Sequence, residues 1–245
     1  MRILSIGNSF SEDAHRYLCG LAAAQGIDMQ LSNLVIAGCS LEKHCCHIAN
    51  DACDYIYEEN GQNTHRYLTL REGISLGDWD VITLQQVSKL SFEEESFFPY
   101  VRELRDYVKS FAPNAKIYLH QTWSYASREK LDEFGFKAHG DMFYKIERAY
   151  KSVKERLSAD GIIPAGEVIE RLKCRGFNLH RDSLHLSRGL GRYAAGLVWL
   201  GILGGVDPRT VEFSAFDADI TIEEIATAAE CAYDTLNSGG EYYYE

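Results

Sequence analysis

Proline is scarce, at four in 245 residues, and no Pro-, Gly- or Ser-rich stretch divides the chain into parts. Positive charge is also short. Lys and Arg number 25 against 36 Asp and Glu, giving a net charge of −11 and a pI near 5.2. Such a balance lacks the basic patch of a nucleic-acid binder and argues against docking on anionic membranes. No window approaches the ~18 uninterrupted apolar residues of a membrane span. The seven cysteines are odd in number and contain no C-x-x-C pair, so a reducing cytosol fits better than a disulfide framework. The opening Met1-Arg2-Ile3-Leu4-Ser5-Ile6-Gly7 is too short in apolar residues for the roughly 7–15 of a secretory leader. The expected compartment is therefore the cytoplasm. What is present is an ordinary globular composition, 46% hydrophobic and 25% charged, on a chain long enough to bury a large core.

Short apolar runs alternate with helical patterns. Ile3–Ile6 reads as a strand ending at Gly7-Asn8-Ser9, followed by a helix over roughly Ala14 to Gln25. Gln30 to Ile36 reads as a second strand. A helix is expected from an N-cap at Ser40 through about Tyr57, closed by Asn60-Gly61, with a strand or half-hairpin over Thr64 to Leu70. Trp79 to Leu84, Lys116 to Leu119 and Gly161 to Ala165 supply three more strands. Helices are expected at Phe97–Phe111, His139–Ser158, Gly166–Cys174, Gly189 to about Leu203, and about Thr221 to Leu236. The Tyr242-Tyr243-Tyr244 tail is expected to fray. The pattern predicts one α/β domain over 1–245, a three-layer α/β/α flavodoxin-like sandwich around a mostly parallel sheet of about five strands.

In such sheets ligands bind beyond the carboxyl ends of the strands. The residues found there are Asn8-Ser9, then Gly38, then Gln85 and Gln86, then His120, Gln121 and Trp123, and in a late loop Asp182-Ser183-Leu184-His185. They comprise a hydroxyl, amide donors, an imidazole and a carboxylate, the parts of an activated-serine acyl transfer. Ser9 is the candidate nucleophile and His185 its base. Asp182, three residues earlier, would fix the imidazole tautomer. The oxyanion would be held by the N–H groups of Ser9 and Gly38 with a side-chain amide. Each residue also has a plainer role: Ser9 as an N-cap, Asp182 as a cap or histidine partner, the glutamines as strand-end amides, Gly38 as a turn residue. Asn8, His120 and Trp123 are candidate substrate-lining residues, with core packing the alternative for the aromatic ones. His44 and His47 share a helix face, but a tetrahedral site would need ligands from elsewhere, so no metal is expected.

The blocks Ile6-Gly7-Asn8-Ser9 and Asp182-Ser183-Leu184-His185, with Gly38 between them, resemble those of the SGNH (GDSL-type) hydrolases. They stand in the order of that family and span most of the chain. Two departures mark a divergent branch. The family's usual Asp between Gly and Ser is Asn8, and its G-x-N-D block is replaced by Leu84-Gln85-Gln86-Val87-Ser88. Gln86, or else Gln85, is the candidate for the missing Asn amide. The resemblance implies a cofactor-free serine esterase acting on small esters, with an acylated sugar as a substrate class. No nucleic acid or membrane partner is expected, and the oligomeric state is left open. The altered block also leaves a second reading, a catalytically silent ligand-binding module on the same scaffold. A third, a thiol or metal protein built on Cys45 and Cys46, predicts bound zinc.

Overall fold

The computed structural model describes residues 1–238; the tyrosine tail lies outside the described residues. In chain order the elements are β1 (Arg2–Gly7), α1 (Ser9–His15), α2 (Leu18–Ala24), β2 (Gln30–Val35), α3 (Leu41–Asn50), β3 (Tyr55–Glu59), β4 (Gln62–Leu68), α4 (Leu70–Ile74) and β5 (Val81–Leu84). They continue as α5 (Tyr100–Phe111), β6 (Lys116–His120), α6 (Arg128–Glu133), α7 (His139–Leu157), β7 (Gly161–Ile163), α8 (Ala165–Cys174), α9 (Leu190–Gly204) and α10 (Ile222–Asn237).

The strands form one sheet in the order β4-β3-β2-β1-β5-β6-β7. Pairings from β2 through β1, β5 and β6 to β7 are parallel. Counting only these five, the order is 2-1-3-4-5, the flavodoxin-like arrangement, and its direction reverses between β1 and β5. The crevice at that switch point lies beyond Gly7 and Leu84.

Period-2 alternation assigns each strand residue to one of two cores. Ile3 joins a cluster built from α1, α2, α8, α9 and α10. Its neighbours Leu4 and Ile6 join the other, built from α3, α4, α5 and α7. The sheet is thus covered on both faces, which is why its strands read as nearly continuous apolar runs. No helix among the described residues is long and apolar enough to cross a membrane.

Among the described residues the sheet has seven strands, not about five, and the difference has a local cause. The helix expected through Tyr57 stops at Asn50, where Asp51 turns left-handed at φ +46°. Tyr55 and Tyr57, two apart, are then both buried in a strand antiparallel to β2. Asn60 and Gly61 are not a helix stop. Both have positive φ, +50° and +73°, as a two-residue type I′ hairpin requires, and they join β3 to β4. The helix expected over Ala14–Gln25 is instead two, α1 beginning at once at Ser9 and α2 resuming at Leu18.

Candidate active site

β1 delivers the chain to Asn8, whose extended backbone ends the strand and whose Oδ1 accepts from Phe10 N at 3.1 Å. Asn8 is thus the N-cap of α1, and Ser9 is its first helical residue. This frees the Ser9 side chain from capping. Its Oγ meets His185 Nε2 at 2.9 Å.

The imidazole is held from the other side. Asp182 Oδ2 lies 2.8 Å from His185 Nδ1. Asp182 Oδ1 accepts from the backbone N–H groups of Leu184 and His185, both at 2.7 Å. Burial raises the carboxyl, but those two backbone bonds and the imidazole outweigh it and hold Asp182 at about 2. An ionised carboxylate only accepts, so His185 Nδ1 carries the ring proton. In the neutral ring Nε2 then has its lone pair toward the Ser9 hydroxyl. That is the arrangement a general base needs to take the Ser9 proton.

What fixes these two segments together is a residue outside the motifs singled out above. Asp13, on α1 one turn beyond Ser9, is fully buried. Its Oδ1 accepts from Arg181 Nη1 at 2.7 Å and Arg192 Nε at 2.8 Å, and its Oδ2 from Leu186 N at 2.9 Å. Helix α1, which begins at Ser9, is thereby pinned to the loop that carries Asp182 and His185. Asp13→Ala removes the buried carboxylate that both guanidinium groups share, leaving Arg192 only its longer contact to Asp217 at 3.4 Å, and urea melts should show a loss of about 3 kcal/mol. The only sequence signal is an Asp at i+4 from Ser9, on the same helix face.

Gly38 sits in the turn Ile36–Cys39, closed by Cys39 N–H to Ile36 O at 3.1 Å. Its φ of +61° fits the third position of a type II turn, which favours glycine. Asn8 Nδ2 donates to Cys39 O at 3.1 Å, tying this turn to the start of α1. Among the described residues, neither the Ser9 nor the Gly38 N–H donates to a protein acceptor.

Three other expectations change. Gln86 does not face the crevice. Its Nε2 donates to Ser96 O at 2.9 Å and its Oε1 accepts from Leu41 N and Val87 N. Gln85 is the member on the Ser9 side, in contact with Asn8. Its amide also has a partner, donating from Nε2 to Asn8 Oδ1 at 2.7 Å. Asn8, His120 and Trp123 do not line an open substrate surface, being 3%, 0% and 0% exposed. Trp123 stacks on Phe10 at 4.0 Å and donates from Nε1 to Leu184 O at 2.8 Å. It is a floor beneath the start of α1 and the Asp182–His185 loop rather than a platform for ligand.

Glu12, one turn from Ser9, shares a hydrogen bond with the buried Glu58, which also accepts from Asn33 Nδ2 at 3.0 Å. Burial, then the neighbouring Glu58 and Asp13 carboxylates, push Glu12 up to about 7. Burial likewise raises Glu58. Between Glu12's ordinary value of 4.5 and about 7 the folded chain keeps a proton that the unfolded chain loses. Stability therefore falls as pH rises through that window. Melting temperatures should decline across it more steeply for the native chain than for Glu12→Gln.

No group of three or more His, Cys, Asp or Glu among the described residues could hold a metal ion. His44 instead meets the Tyr55 hydroxyl at 2.8 Å. A cavity of about 1280 Å³, lined by residues including Phe136, His139, Glu170 and Lys173, is separate from Ser9 and His185.

The chain matches the family described as a domain of unknown function (DUF4886) over residues 2–235. Its structure superposes on a DUF4886 family protein from Bacteroides uniformis with a TM-score of 0.91 at 30% identity, covering 99% of this chain and 97% of that one. A candidate SGNH hydrolase from Slackia heliotrinireducens gives 0.57 at 20% identity, covering 81% and 96%. An acetyl xylan esterase gives 0.56 at 13% identity, covering 83% and 100%. These last two share the fold. No curated protein matches the chain in sequence. With the family match over nearly its whole length and a relative of the same architecture, the chain belongs to the DUF4886 family.

Proposed function

We propose that this chain is a serine esterase of a divergent SGNH branch, hydrolysing small acyl esters through an acyl-enzyme on Ser9. The observation that carries the reading is the continuous line from Asp182 Oδ2 through His185 to Ser9 Oγ, at 2.8 and 2.9 Å. His185 takes the Ser9 proton as Oγ attacks the ester carbonyl. It then gives that proton to the leaving alcohol and activates water for deacylation. Asp182 holds the ring and stabilises its transient charge. The free N–H groups of Ser9 and Gly38 take the oxyanion. The chemistry needs no cofactor.

The site is shallow: Gly38 and Asp182 are exposed, and Ser9 and His185 half-buried. A shallow site suits a short acyl group on a bulky alcohol better than a long acyl chain. The acetyl xylan esterase that shares the fold acts on a substrate of that kind by name, which supports an acetylated sugar as the substrate class. The seven free thiols fit a reducing compartment. Steady-state assays should give a higher kcat/KM for p-nitrophenyl acetate than for p-nitrophenyl octanoate, and acetate release from acetylated xylo-oligosaccharides. Octanoate preference would overturn the small-acyl assignment.

One observation favours the silent module. Neither Gln85 nor Gln86 supplies the side-chain donor that the resemblance implies, because both amides are directed to other acceptors. That reading predicts ligand binding in the crevice with no turnover of any ester.

A further inference from the structure

Gln85 bonds on both sides, and the chain it belongs to can be oriented without assuming any flip. Two backbone groups fix its near end. Phe10 N–H can only donate and Cys39 O can only accept, so Asn8 must present Oδ1 to the first and Nδ2 to the second, each at 3.1 Å. Gln85 therefore presents its amide nitrogen to Asn8 Oδ1, at 2.7 Å, and its Oε1 to the far side. That oxygen lies 2.9 Å from His120 Nδ1. Two acceptors cannot share a hydrogen, so His120 must carry its proton on Nδ1. Burial pushes His120 down to about 3, which keeps the ring neutral. Its Nε2 is then a lone pair, and it is buried without a partner.

The neighbouring sequence accommodates this line. A Cβ on Gly7 would come within 2.9 Å of Gln85 Oε1 and 2.6 Å of Ser11 Oγ, so glycine opens the passage past the end of β1. The two departures from the SGNH pattern, Asn8 and Gln85, are the two partners of one hydrogen bond. An Asp at position 8 would have no N–H for Cys39 O.

We infer that His120 and Gln85 are positioning residues for the esterase site, acting through Asn8 to hold the Ser9 helix start and the Gly38 turn in register. The glutamine that replaces the family's oxyanion asparagine works from behind the nucleophile. Neither residue touches substrate. The kinetic part of this inference rests on the Ser9 reading; the hydrogen-bond line does not.

The test has two arms. In the first, long-range proton–nitrogen spectra of protein labelled with ¹⁵N-histidine, assigned by loss of the signal in His120→Asn, should show His120 neutral and protonated on Nδ1. Protonation on Nε2 overturns the inference whatever the enzyme does. In the second, His120→Leu should lower kcat for p-nitrophenyl acetate about a hundredfold with KM little changed, as expected for a small misplacement of the nucleophile. His120→Asn keeps an N–H donor where Nδ1 stood and should recover most of that loss. Gln85→Met, equal in length and without polar atoms, should repeat the leucine result if His120→Leu does not fold. Native kcat in these variants, or no recovery with asparagine, contradicts the positioning role. Equal turnover in native protein and Ser9→Ala instead sinks the esterase reading, and the spectroscopic arm then decides the network by itself.

Discussion

Ser9→Ala should lower kcat for p-nitrophenyl acetate by about 10⁶-fold, the scale seen when an activated serine is removed from a working triad. The substitution deletes the hydroxyl that His185 Nε2 meets at 2.9 Å. It should do so without harming the fold. Asn8, not Ser9, caps α1, so the change removes no capping bond and thermal stability should stay within about 0.5 kcal/mol of native. A large loss of activity at unchanged melting temperature is a combined result that a purely structural serine would not give.

Asp182→Asn should have the next largest effect, about 10³- to 10⁴-fold on kcat. The reason lies in the backbone. The N–H groups of Leu184 and His185 both donate to Asp182 Oδ1, so an asparagine there keeps its oxygen at that corner. Its Nδ2 donor then faces His185 Nδ1, where the native carboxylate accepts. The ring is driven to the other tautomer, with Nε2–H donating to Ser9 Oγ instead of accepting from it. Geometry is retained and the base is lost. Stopped-flow or steady-state kinetics on the purified variant reads this directly. A drop of less than tenfold would mean that Asp182 merely shapes the loop.

The residues that could be picked out from sequence are those whose chemistry is local. Gly7-Asn8-Ser9 and Asp182-Ser183-Leu184-His185 are consecutive stretches at a strand end and in a turn, and the structure brings them together. Gln85 and Gln86 could not be told apart in that way. β5 ends at Leu84, and a one-residue change in that boundary exchanges which side chain faces the crevice. Asp13 was hidden for another reason: its partner Arg181 is 168 residues away, and a carboxylate in a helix interior looks like a solvated surface group. Of the β3–β4 hairpin, β4 falls on the strand or half-hairpin expected over Thr64 to Leu70, but β3 was hidden because Tyr55-Ile56-Tyr57 is short and follows directly on a helix, where an apolar run suits either structure. His120 ends β6 and Trp123 follows it, yet burial turns them from ligand surface into support, and burial is decided by α1, α9 and the late loop rather than by their own segment.

The central claim is that Ser9 is a nucleophile activated by His185. A fluorophosphonate probe, which forms a stable bond only to an activated serine, tests it most directly when followed by peptide mapping in a mass spectrometer. The expected result is a single adduct on the peptide containing Ser9, absent in Ser9→Ala and formed far more slowly in His185→Ala. No adduct on the native chain, or one that forms at the same rate without His185, would contradict the account.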